Sequence, residues 1–264
     1  MKSLSIYIAY FVQFLKSRMA YKKDFFAGIF ANLLTTFSGL LFVVLLIDGK
    51  IVPSLKGWRR EEVLFIYGYS MVSMAFFSTF SINLYGFGKR YIIQGEFDRI
   101  LLRLLDSMCQ VLFESFNLDV IGSLSLGIIL LVYTGLELDM TFSLIDYVWL
   151  IFSAFCGGII VISVFIILTS FSFHFEDKVG IIPPFYSLIN FSRYPLPIFN
   201  DIIQFILSWC VPFAFVSFYP ATHFFERTGF EFLCYFTPMM SIVCFLMALF
   251  SWRFGVSKYS STGN

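Results

Sequence analysis

Six uncharged apolar runs set the pattern of the chain: Phe25–Ile47, Val63–Gly88, Val120–Leu136, Tyr147–Phe173, Ile202–Thr222 and Phe232–Trp252. A helix needs roughly 20 such residues to cross the hydrocarbon of a bilayer. The pattern therefore predicts an all-α polytopic membrane protein with six transmembrane helices. The runs lack the period-two alternation over ~10-residue segments that marks a membrane β-barrel. Residues 1–23 read differently. Leu4, Ile8, Phe11, Leu15 and Met19 recur at three- and four-residue steps, and Gln13, Lys16 and Lys23 fall elsewhere. That spacing predicts an amphipathic helix lying in the membrane interface, its lysines near anionic headgroups. An N-terminal extension of the first span is the alternative.

Composition agrees. Of 264 residues, 59% are hydrophobic and 13% charged, and the mean hydropathy is +0.84. Soluble domains carry about 25% charge, so the lipid membrane is the expected solvent. The net charge of +1 gives no case for nucleic-acid binding. No cleavable signal peptide is expected, because cations are scattered through the first 23 residues. The five cysteines lack CxxC spacing and mostly sit in apolar runs, as buried, inert thiols do.

Lys and Arg set the orientation. With both termini cytoplasmic, the inner side holds Lys2, Lys16, Arg18, Lys22, Lys23, Lys89, Arg90, Arg99, Arg103, Lys178, Arg193, Arg253 and Lys258. The outer side holds Lys50, Lys56, Arg59, Arg60 and Arg227, so 13 of the 18 cations lie inside. The longest cytoplasmic feature is then residues 89–117. The fifth crossing stays open between two topologies. Ile202–Thr222 can be the span, or a span at about 177–194 can precede an external re-entrant hairpin over Tyr194–Tyr219. Pro195, Pro197, Pro212 and Pro220 favour the hairpin, because proline removes a donor and breaks a helix. Arg193 then snorkels to the outer headgroups.

The residues give little support to catalysis. His174 and His223 have no partner at metal-ligand spacing. Glu61-Glu62 resembles the paired glutamates of CAAX-type membrane proteases, but Val63-Leu64-Phe65-Ile66 follows where an arginine is needed; capping of the second span is the simpler role. Asp119 and Asp146 read as helix-end caps. Phe76, Phe77 and Phe80 could line an apolar path for an amphipathic substrate. The stretch Gly95 to Leu105 is a charged island between apolar runs. Glu96, Asp98, Arg99 and Arg103 fit a helix face stepped at i, i+3, i+7, with Ile100, Leu101, Leu104 and Leu105 as its anchor. Such a face offers both charge signs to a partner.

Three motifs carry a family resemblance. They are Met19-Ala20-Tyr21-Lys22-Lys23-Asp24-Phe25 before the first span, Gly95-Glu96-Phe97-Asp98 followed by Ile100-Leu101-Leu102-Arg103, and Arg193-Tyr194-Pro195 leading to Val211-Pro212-Phe213-Ala214-Phe215 and Tyr219-Pro220-Ala221. In order and spacing the chain resembles the bacterial ABC-2-type permeases of about 260 residues. In that pattern a proline follows the arginine; Leu104 stands here, so the island can run on as helix through Asp106. The resemblance implies one permease domain over 1–264 with a cytoplasmic coupling region at 89–117 and a re-entrant segment within 194–222. It also implies a second permease subunit, a bacterial inner-membrane location, and export driven by a separate cytoplasmic ABC ATPase, with Glu96, Asp98, Arg99 and Arg103 in the coupling contact. No G-x-x-x-x-G-K-[ST] motif occurs, so ATP hydrolysis and any nucleotide cofactor are expected in that partner. A non-transporting scaffold or sensor subunit is the alternative.

Overall fold

The computed structural model describes residues 2–48, 57–175, 182–225 and 229–260. The described chain is helical throughout, with no strand. A 19-residue helix α1 (Lys2–Ala20) breaks at Tyr21 and leads into α2 (Lys22–Asp48). Then come α3 (Arg60–Phe80), the short α4 (Ile82–Tyr85), a π-helical turn at Gly88–Ile93, α5 (Glu96–Leu101) and α6 (Ser107–Phe113). Next are α7 (Ile121–Glu137), α8 (Leu144–Ser170), α9 (Ser172–Phe175) and α10 (Ile182–Leu188), the last running into a 3-10 turn at Ile189–Arg193. The chain closes with α11 (Asp201–Phe205), α12 (Phe218–Ala221), α13 (Glu231–Cys234) and α14 (Thr237–Lys258).

Among the described residues, four helical stretches are long and apolar enough to cross a membrane: Lys22–Leu45, Arg60–Phe80, Leu144–His174 and Thr237–Lys258. The run expected as the third span is the 17-residue α7, about 26 Å long, short for a hydrocarbon core of about 30 Å. Ile202–Thr222 is not one continuous helix. Helical turns reach Cys210, the chain breaks at Val211-Pro212, and 3-10 and α turns return from Phe213 to Ala221. The Ser208 and Tyr219 hydroxyls, 2.9 Å apart, tie the two limbs together. Part of the segment at about 177–194 lies outside the described residues.

Small residues decide which helices meet. α3 lies at the centre, packed on α7 and α8, with α14 against α8 and α2 against α7. A Cβ at Gly158 of α8 would stand 2.6 Å from Phe76 Cβ and 3.1 Å from the Ser73 carbonyl oxygen, both on α3. A Cβ at Gly157 would stand 2.7 Å from the Val216 carbonyl oxygen of the returning limb. Glycine at these two positions lets backbones approach, which is how helices associate where lipid removes the hydrophobic drive. The same seam satisfies the unwound backbone. Ser73 Oγ donates to the Val216 carbonyl at 2.8 Å, and Ser217 Oγ donates to the Ser192 carbonyl. Pro212–Thr222 are buried throughout, as irregular backbone at membrane depth must be.

A Gly158→Ala variant is expected to lower stability by about 1–3 kcal/mol through overpacking. Gly86→Ala should be near neutral, since its added methyl meets nothing within 4 Å. Thermal unfolding of both purified variants in detergent checks the contrast.

Candidate functional site

Both described termini and the charged island lie at one end of the bundle. Tyr7 and Phe11 of α1 stack on Phe113 and Phe116, and Tyr259, just past α14, stacks on Phe97. At this end α5 begins after Gly95, whose φ of +72° is open to glycine at little cost. α5 stops at Leu101, so the island does not run on as helix through Asp106. Two side chains account for the stop in the absence of proline. Gln110 Nε2 donates to the Ile100 and Leu105 carbonyls at 3.2 and 2.8 Å, and Asp106 accepts the Cys109 amide at 3.0 Å as the N-cap of α6.

The anchor of the island differs from the expected leucine face. Ile100 is buried, but Leu101, Leu102 and Leu104 are exposed, Leu104 completely. Phe97 takes the anchoring role. Its ring is fully buried among Phe87, Phe173, Trp252 and Tyr259, at centroid distances of 5.0–6.1 Å. Burying such a side chain stabilises by about 1.5–3 kcal/mol. Trp252 also donates its indole N–H to Ser107 Oγ at 3.0 Å, joining α14 to α6. The box thus joins α5 to the π-helical turn, to α9 and to the end of α14.

Charges form a second layer around this anchor. Glu96 accepts from Arg90 Nε at 2.8 Å, and Glu114 accepts from Arg90 at 3.2 Å and from Arg99 at 2.8 Å. Arg99 also lies 3.6 Å from Glu96. Tyr91 donates its hydroxyl to Glu114; burial first, then this bond and the carboxylate charge, push the phenol above its ordinary range. Arg103 donates to the Tyr10 hydroxyl of α1 at 3.3 Å. Asp98 faces Tyr259, whose pKa rises to about 12 through burial and then that carboxylate. Of the four residues expected to couple, Glu96 and Arg99 meet in one network, while Asp98 and Arg103 point to Tyr259 and α1. Sequence reasoning missed Arg90, Tyr91, Glu114 and Gln110. Only the turn between α3 and α6 brings them to the island.

The three path candidates separate. Phe77 is fully buried beside Phe165 and Tyr186, Phe76 packs on Phe155, and Phe80 meets Phe113 and Phe116.

The opposite end holds a cavity of about 600 Å³ lined by Arg59, Glu62, Asp139, Asp146 and His223, among others. Two of the carboxylates serve as helix caps. Glu62 accepts the Arg59 amide at 2.7 Å, and Asp146 accepts the Ser143 amide at 2.8 Å. Asp146 also meets His223 Nε2 at 2.9 Å, and His223 Nδ1 meets the Tyr235 hydroxyl at 2.9 Å. At the island end Asp119 lies 4.0 Å from Arg18 of α1, and it does not cap α7, whose N-cap is Val120. No cluster of metal-ligating side chains occurs among the described residues.

These features define a helical membrane protein with an ordered charged island at one end. The chain belongs to the ABC-2 family transporter proteins, whose family model matches residues 30–263. No curated relative and no solved structure matches it. Membership places the chain as a membrane permease component of an ABC transporter.

Glu114→Ala is expected to leave Arg90 and Arg99 sharing Glu96 alone. Partly exposed pairs contribute about 0.2–1 kcal/mol each, so the island should loosen without unfolding the bundle. Faster amide hydrogen exchange over residues 96–101, with unchanged protection in α3 and α8, is the expected result.

Proposed function

We propose that the chain forms half of an exporter's translocation path and takes its power stroke from a separate cytoplasmic ABC ATPase at the turn after α5. A second permease subunit, identical or related, completes the path. The observation that carries this reading is the division of labour in the island. Phe97 fixes it to the bundle, while Leu102, Arg103 and Leu104 project outward from the short turn that follows. Leu101, Leu102 and Leu104 are exposed together beside Arg103, an apolar patch with a charged edge of the kind that suits a partner contact.

Mechanistically, closure of the ATPase dimer would push this turn. The aromatic box would pass the displacement to the π-helical turn below α3 and to the ends of α8 and α14. Coupling needs contacts that differ between nucleotide states, since a partner that binds both states equally shifts nothing. The excess of cations at the island end supports cytoplasmic termini, and the family supports placement in a bacterial inner membrane. The island's four charges, Glu96, Asp98, Arg99 and Arg103, are the coupling residues of this proposal. Phe76 and Phe80, partly exposed in the subunit, are its path residues, and Phe77, buried on Phe165 and Tyr186, packs behind them.

Reversing Asp98 and Arg103 together, to Lys and Glu, should leave the chain inserted but abolish substrate-stimulated ATP hydrolysis by the co-purified ATPase. Breaking a desolvated interfacial charge pair costs about 2–5 kcal/mol. Leu104→Asp, at a side chain exposed in the subunit, should uncouple without lowering the unfolding temperature. Normal stimulation in both variants would remove the coupling role and favour a scaffold or sensor subunit.

The fold-back at Val211-Pro212 supports an external re-entrant hairpin over 194–222 as the gate for release. Single cysteines at Asn200 and Asp201, both exposed, test it in a cysteine-free background. Labelling by a membrane-impermeant thiol reagent from outside is expected; access from the cytoplasm alone would eliminate the hairpin.

A further inference from the structure

Arg193, expected before Pro195 to reach for headgroups, turns onto α3 in the subunit. It ends the 3-10 turn Ile189–Arg193, and its guanidinium lies over the Tyr67 ring at 5.4 Å. Nη1 donates to the Tyr67 hydroxyl at 3.3 Å. Tyr67 sits seven residues into α3, about 10 Å from that helix's start. The cation therefore stands within the span. Its Nε is buried without a hydrogen-bond partner. Among the described residues no carboxylate pairs with it. Arginine cannot shed its charge, and an unpaired charge at this depth is costly and tends to mark a functional site.

The surroundings suit a ligand with an anionic head and an apolar tail. Gly39 of α2 faces the Tyr67 hydroxyl, where a Cβ would come to 3.4 Å. Leu40, Val43 and Tyr67 form the apolar wall, with Tyr194 packed against it. Phe37 and Leu41, flanking Gly39 on α2, are exposed. The Arg193 fork can meet a phosphate or carboxylate through two parallel N–H donors. We propose that Arg193, with Tyr67, binds the anionic headgroup of an amphiphile within the membrane span, beside α2 and α3. The proposal rests on this local geometry and the membrane placement, and stands whether or not the island couples to an ATPase.

The test is thermal unfolding of the full chain in a neutral detergent, titrated separately with dodecyl phosphate, phosphatidylglycerol and phosphatidylcholine. The anionic amphiphiles should raise the midpoint and phosphatidylcholine should not. Arg193→Gln should weaken that response on the order of tenfold in concentration, the size of a lost charge-assisted hydrogen bond. A response to dodecyl phosphate identifies a free amphiphile of the kind a transporter carries. A response to phosphatidylglycerol alone identifies a bound membrane lipid; either supports the site. Equal responses in wild type and Arg193→Gln, or no anion preference at all, overturn it. If Arg193→Gln does not fold, Arg193→Lys decides. Lysine keeps the charge but loses the fork, so a weaker anion response supports the site and an unchanged one overturns it.

Discussion

The unwound segment Pro212–Thr222 imposes the constraint on which the bundle depends. Hydrocarbon offers no hydrogen bonds, so each backbone group freed by Pro212 and Pro220 needs a partner from the protein. Ser73 supplies one to Val216, and Ser217 of the same segment supplies one to Ser192 in the preceding 3-10 turn. The Ser73–Val216 bond needs close approach, which Gly157 permits, and Gly158 brings α8 onto α3 beside it. The consequence is a central α3, 78% buried over its most apolar window, against 11% for α2. α2 is thus left with a long exposed apolar face, open to lipid or to a second subunit.

The island works on a different energetic basis. Its ion pairs are partly exposed and individually weak, while the Phe97 box is dry and connects four parts of the chain. The aromatic anchor therefore dominates the attachment, and the charges around Glu114 set orientation. The box ties this element to α9 and to the end of α14.

Arg193 differs from both. The prolines that follow it end the helix, and the segment's burial against α3 carries the guanidinium inward onto Tyr67. Structural need and the proposed binding role thus fall in one proline-rich stretch, from Arg193 to Thr222.

Much of this was legible in the sequence, because hydrophobic run length and proline position act locally. The runs behind α2, α3, α8 and α14, a helix at the start of the chain, the caps at Glu62 and Asp146 and the charged turn at Gly95 all follow from neighbours in the chain. The motif order was enough to indicate the ABC-2 family. What only the tertiary structure decided depends on residues far apart. Leu101 and Leu104 read as an anchor by helical spacing, yet α5 ends at Leu101 because Gln110 and Asp106 claim the groups that would continue it. Phe97 found its box in rings from α9, α14 and beyond. Arg193 sat beside prolines that suggested a surface, and α3 supplied the ring that holds it inside. Periodicity reports which face of a helix is apolar; which partner covers that face is fixed only when distant segments compete for the same space and the same hydrogen bonds.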